Sequence, residues 1–209
     1  MISDDQIRLA WEKSGGNNSA AAKICGLQPR QFRDRKSSLG LGLTTRYVVT
    51  NCANNTPVFE PFWKSLQFYL EENNAELIII PSLYKNPNAF KSSDPVWFTQ
   101  EVVKHLCDER RELNQQVIVH GEVPIQPTGS NPLSGLDALA GGKWAIFGHS
   151  QIQMRVAATP LDLKPPVLHT TGSICEKNYS ASKMGKKAEL HHSYGAVVVE
   201  CVDDRAYMR

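Results

Sequence analysis

The sequence predicts an α/β protein: a small N-terminal trihelical helix-turn-helix, then a mixed α/β sandwich that starts β-α-β-α-β. Three observations carry this reading. Residues 1–43 show apolar spacing of helical period, capping side chains and glycine stops. The runs RYVVTN, ELIIIP and QVIVH are apolar and β-branched, as strands covered on both faces are. Between the first two lies a stretch with Phe62, Trp63, Leu66, Tyr69 and Leu70 at helical intervals.

Ser3 caps a first helix over residues 4–14, whose inner face carries Ile7, Ala10 and Trp11, and Gly15-Gly16 ends it. A second helix spans Ser19–Cys25, with Asn18 or Ser19 as the capping oxygen and alanines that let a neighbour approach. Gly26 supplies the left-handed turn position and Leu27 plugs the angle between helices. The third helix starts at Gln28-Pro29 and carries Arg30, Arg33, Arg35 and Lys36 against Asp34 alone. The uncharged segment LGLGLTT (39–45) reads as a linker. It separates a DNA-binding domain (1–43) from an α/β domain (45–209).

In the larger domain, Arg46–Asn51 is a strand, Asn54–Pro57 a turn, residues 59–72 an amphipathic helix and Glu76–Pro81 a second strand. Together they form a right-handed βαβ unit. Asp94-Pro95 opens a further helix reaching about Leu113, and Gln116–His120 is a third strand. Residues 121–142, rich in Pro and Gly, are too long for an idle connection. Lys143–Gly148 and Gln153–Ala158 read as a hairpin-like strand pair around His149-Ser150, and Pro165–Thr171 as another strand. Residues 172–193 are polar without apolar periodicity, and Ala196–Val202 is the last buried strand.

Composition narrows the class. The 209 residues are 41% hydrophobic, enough for a core, and no run approaches the ~18 apolar residues of a membrane span. The start, MISDDQIRLAWEK, lacks the plan of a signal peptide. Net charge is +2, but residues 1–43 alone carry +3. The basic excess therefore sits in the helix-turn-helix, as expected of a segment that meets phosphate. Cysteines 25, 52, 107, 175 and 201 are odd in number and lack CxxC spacing, so reduced thiols are expected rather than a zinc finger or a disulfide framework.

Three sets of residues carry candidate chemistry. Gln28, Arg30, Gln31 and Arg33 sit where a recognition helix reaches base edges, while Lys23, Arg35 and Lys36 are placed for phosphates. The alternative is a solvated basic helix in a protein-contact module. Glu189, His191 and His192 offer an acid–base pair or metal ligands, although adjacent histidines on an extended segment point to opposite sides. The alternative there is a polar loop with one structural histidine. His120, Glu122, His149 and His169 fall at strand ends and could converge with Asn54 and Asn55 around a divalent metal such as Mg or Mn. Lys85, after the second strand, is a candidate anion ligand or equally part of an ordinary turn, and Thr170–Ser173 with Asn178 and Tyr179 offer further donors for an anion. The full phosphate-loop pattern is absent.

Two resemblances add to this. GNNSAAAKICGLQPRQFRDR is similar to the helix-turn-helix of Fis-type bacterial DNA-binding proteins, with Lys36 where that helix usually ends in leucine. The segments TNCANNTPVFEPFWKSL, AELIIIPSLYKNP, GEVPIQPTGSNPLSGLDAL, FGHSQIQMR and TTGSICEKNYSASKMGKKAELHHSYGAVVVE resemble a family of tailed-phage proteins. That resemblance implies kinship with the early DNA-degradation and transfer proteins of T5-like phages. Longer members continue into a metallophosphoesterase-like half, so the expectation for a chain of this length is the targeting and assembly portion. AELIIIP is also similar to a strand of nitrilase-type amidases, but these need glutamate directly after it, where Ser82 follows Pro81 here. Cys175 would be the notional nucleophile of that reading.

The expectation is therefore a phage DNA-binding protein of the host cytoplasm, docking duplex DNA as a homodimer, with a possible phage or host protein partner and no membrane contact. The rival is a metal-dependent nuclease or phosphoesterase using Glu122, His149, Glu189, His191 and His192.

Overall fold

A serine, an asparagine and a glycine set the helix ends of the N-terminal unit. In the computed structural model, which describes residues 2–15, 17–41, 44–84, 95–160, 164–202 and 205–209, Ser3 and Gln6 close a reciprocal capping box on α1 (Asp4–Lys13). Helix α2 (Asn18–Cys25) is capped by Asn17, one residue before the two expected candidates, whose Oδ1 accepts from Ala20 N–H at 3.0 Å. Gly26 stops it in the left-handed region at φ 63°, and α3 (Pro29–Ser38) begins on its proline. Ile7, Ala10, Ala21, Ala22 and Phe32 form a closed apolar core, and Leu27 packs against it. Gly16, Gly42 and Leu43, invoked above as stop and linker, lie outside the described residues.

The chain divides into two compact units, Met1–Thr44 and Thr45–Arg209. In the second, β1 (Thr44–Ala53), α4 (Glu60–Asn73) and β2 (Ala75–Ser82) form the expected βαβ unit, with β1 and β2 parallel and Val49 opposite Ile78. Period-2 alternation sorts the strand side chains to two faces. Val48, Leu77 and Ile79 pack under Trp63 and Leu66 of α4, whereas Val49, Ile78 and Ile80 point into the gap between two sheets.

The continuation departs from one parallel sheet. Asp94 lies outside the described residues, and from residue 95 the expected long helix is reduced to one turn, α5 (Gln100–Val103). Ile79 N–H donates to His105 C=O and Cys107 N–H to Ile79 C=O, both at 2.8 Å. Open edge groups of β2 thus claim residues 105–107 in extended form, while Val102 and Leu106 join the α4 cluster. Edge pairing outweighs the local helical preference here.

The chain then enters a second sheet of β3 (Arg110–Glu112), β4 (Val117–His120), β5 (Trp144–Phe147), β6 (Met154–Val156) and β7 (Val167–Thr170), ordered β3-β4-β5-β7-β6. Strands β4, β5 and β7 are parallel. The expected hairpin is corrected: β6 pairs antiparallel with β7, not with β5. Polar residues 172–193 contain a helix that periodicity did not announce, α6 (Lys183–His191), because it buries only Gly185 and Ala188. Strand β8 (Val197–Val202) returns to the first sheet, ordered β2-β1-β8-β9, and β9 (Arg205–Met208) follows it.

The two sheets stack face to face through Val49, Ile78, Ile80, Val117, Val119, Ile146, Val197 and Val199. The outer face of the second sheet is sealed by the 121–142 segment, with Leu133 and Ala140 on Phe147 and Leu168. That long loop is therefore a lid on the core. Gly148 marks where the sheets meet at their carboxyl ends: a Cβ there would lie 2.5 Å from Ile80 Cγ2 and 3.1 Å from Asn51 Nδ2.

Candidate functional site

Two places carry chemistry, one outward-facing on α3 and one buried at the carboxyl ends of the strands. On α3, Gln28, Arg30 and Gln31 are exposed and Arg33 and Arg35 half-buried. Gln31 Oε1 accepts the Gln28 N–H at 3.2 Å, which pre-positions it beside the helix start. Arg35 reaches Asp4 at 3.5 Å in an exposed ion pair. Lys36 departs from its expected phosphate role. It is 0% exposed, with Nζ 3.8 Å from the centre of the Trp11 ring. The helix spacing Phe32–Lys36 puts both on the inner face, so the long aliphatic stem fills the slot where the similar helix-turn-helix has leucine.

At the strand ends, Asn51, Ser82, Ser150, Ser173, Asn178, Tyr179 and His192 surround a small polar cavity of about 10 Å³. Asn51 Nδ2 donates to Ile80 C=O at 2.9 Å, and Ser173 Oγ donates to Asn51 C=O at 3.2 Å. Ser193 straps the ends of β5 and β7, its N–H on Ser150 C=O (2.8 Å) and its C=O accepting from Ser173 N–H (2.9 Å). Next to it, Tyr179 Oη lies 2.8 Å from both Ser150 Oγ and His192 Nδ1. A phenol has one proton, so one of these contacts must be donated by the phenol and the other accepted. Burial pushes the Tyr179 phenol up to about 12 and holds the His192 imidazole down at about 4. Both are neutral at pH 7. The cavity has room for about one water, so the arrangement is a fixed polar node.

The expected catalytic residues take separate positions. His149 is buried, its Nδ1 accepting from Gln151 N–H at 2.9 Å and its Nε2 3.2 Å from Gln126 C=O. This assigns a neutral Nε2–H tautomer with both nitrogens committed to backbone, and burial lowers its pKa further. Glu122 accepts from Nδ1 of buried His120 at 2.8 Å and lines a different, mostly apolar cleft of about 420 Å³ with Pro81, Leu83, Phe98, Leu106 and Asp108. Glu189 and His191 are exposed on α6, while His192, its C-cap, alone joins the polar node. His169 Nδ1 lies 2.6 Å from Thr170 C=O, and Asn54 Oδ1 accepts from Tyr84 N–H at 2.6 Å. Among the described residues no three His, Cys, Asp or Glu side chains gather as a metal-binding group. Lys85 lies outside the described residues.

Sequence reasoning passed over Asn51, Ser82 and Ser150. They are small polar residues without spacing, and the only signal is that each ends or follows an apolar strand.

The chain is 28% identical over 172 residues to Protein A1 of Escherichia phage T5. The match covers 76% of this chain and 30% of that protein, so the chain spans about a third of its relative's length. The similarity supports a relationship with phage proteins. No sequence-family description matches the chain, and no solved structure matches it. Among the described residues, no helix is long and apolar enough to cross a membrane.

Proposed function

We propose that this chain is a phage DNA-binding protein. Its N-terminal helices dock on duplex DNA, and its α/β unit contributes a polar site and assembly contacts in phage or host DNA metabolism within the host cytoplasm. The observation that carries the reading is the second helix of a helix-turn pair presenting Gln28, Arg30 and Gln31 to solvent, with Arg33 and Arg35 beside them. Arg and Gln are the side chains that form paired hydrogen bonds to guanine and adenine edges. The similarity to Protein A1 supports the phage setting. One such helix covers few base pairs, so a dimer reading two half-sites is the functional form.

Fluorescence anisotropy with a labelled duplex across a salt series tests this. Affinity should fall steeply with salt, and Arg30→Ala with Arg33→Ala should weaken binding by about tenfold or more. Lys36→Leu should leave the salt slope unchanged, because Lys36 is in the core. Salt-independent or unaltered binding in the arginine variant overturns the proposal. The metal-dependent nuclease alternative needs carboxylates and imidazoles in one place, and Glu122, His149, Glu189, His191 and His192 are spread over a cleft, a backbone lock, a helix surface and the polar node.

A further inference from the structure

Two cysteines 123 positions apart in sequence meet inside the α/β unit. Cys52, near the end of β1, and Cys175, beyond β7, are free thiols with 0% exposure whose Sγ atoms stand 3.0 Å apart. Backbone pairing holds both in place. Asn51 bridges to Ser173 and Val58 to Cys175, while Ile174 N–H donates to Asn51 C=O at 3.0 Å and Phe59 N–H to Ile174 C=O at 2.7 Å. The sulfurs need to close only from 3.0 Å to the ~2.05 Å of a disulfide. Residues flanking them, namely Asn51, Ala53, Ser173 and exposed Glu176, line the water-sized polar cavity. Both thiols are 0% exposed, so a reagent that reaches them must be small.

We propose that Cys52 and Cys175 form a redox-active dithiol that reduces a small hydroperoxide and closes an internal disulfide. The two sulfurs are unequal. Either thiol can donate across the 3.0 Å contact; with Cys52 as donor, the bond lowers the pKa of Cys175, while donation and burial hold Cys52 up. Cys175 is therefore the attacking thiolate. Its sulfur takes one peroxide oxygen and the O–O bond breaks. The leaving oxygen departs as water, with the proton lost from Cys175, and a sulfenic acid remains. Cys52 sulfur then attacks the sulfenic sulfur: the S–S bond forms, the S–O bond breaks, and the hydroxide leaves as a second water with the Cys52 proton. Two thiols lose two electrons and hydrogen peroxide gains them. The cross-link fastens the segment leading to Tyr179 onto β1.

The test is mass spectrometry on the full chain after hydrogen peroxide, with alkylation under denaturing conditions. Two of the five thiols should become protected, joined in one Cys52–Cys175 peptide and restored by dithiothreitol. Cys52→Ala should leave Cys175 as a sulfenic acid that dimedone traps, and Cys175→Ala should leave Cys52 alkylatable. Circular dichroism checks that each variant folds, and the wild-type result stands without them. Five alkylatable thiols after peroxide, or a link through Cys25, Cys107 or Cys201, overturns the proposal.

Discussion

One unit carries its polar chemistry on its own surface, and the other carries it in its own interior. In the trihelical unit, Ile7, Ala10, Ala21, Ala22 and Phe32 close the core, while Arg30 is exposed and Arg33 and Arg35 are half-buried. In the α/β unit, His120, His149, Thr170, Thr171 and Ser173 are buried and their polar atoms are largely spent on neighbours. Exposed side chains stay within reach of a macromolecule, whereas buried ones hold the sheets' ends in register. The contrast explains why the small unit reads as a binding surface and the large one as a braced scaffold.

The comparison breaks most readily at the α4–sheet contact. Trp63→Ala removes a 5%-exposed indole from under the helix and should cost about 3–5 kcal/mol in chemical denaturation. A loss under about 1 kcal/mol would show that α4 is dispensable to the scaffold. Next is the polar node. Tyr179→Phe leaves Ser150 and His192 without their shared partner and should destabilise by about 1–3 kcal/mol. No change would mean that water substitutes fully.

A pH series sharpens the same contrast. Burial lowers the folded-state pKa of His192 to about 4 and also depresses His149, against the ordinary 6.5. The unfolded chain therefore binds more protons between pH 6.5 and 4, and stability falls as pH drops through that window. Above 6.5 this contribution is fully present, because both states are neutral. His192→Gln should flatten the slope of denaturation midpoint against pH, and an unchanged slope would remove His192 from the account. The smallest effect is expected in the outward-facing unit: Arg35→Ala breaks an exposed ion pair and should shift stability by under about 1 kcal/mol. A larger shift in its melting would mean that Arg35 is structural.

Legibility followed the same division. Ser3, Gly26 and Pro29 announced helix ends because caps and left-handed turns act within a few residues. α4 was readable from apolar residues at helical spacing, and β1, β2, β5 and β8 from their apolar runs. The helix expected over residues 95–113 was not, since Ile79's free edge groups, distant in sequence, decided residues 105–107. Lys36 was misplaced because charge outweighed its spacing from Phe32, and α6 escaped because a helix resting on Gly185 and Ala188 shows little apolar periodicity. For the candidate site, single residues such as His192 could be named, yet their company could not. Tyr179 and Ser150 are 29 positions apart.

The sequence by itself determined the three helices and their basic outer face, the βαβ opening and the apolar alternation that demands covering on both sides. These are local, set by backbone sterics, capping and periodicity. Tertiary structure decided that the strands divide between two stacked sheets, that His149 is locked to backbone while His192 joins Tyr179, and that Cys52 meets Cys175. Those outcomes depend on which open edge and which apolar face finds a partner, a competition between distant segments that no local pattern records.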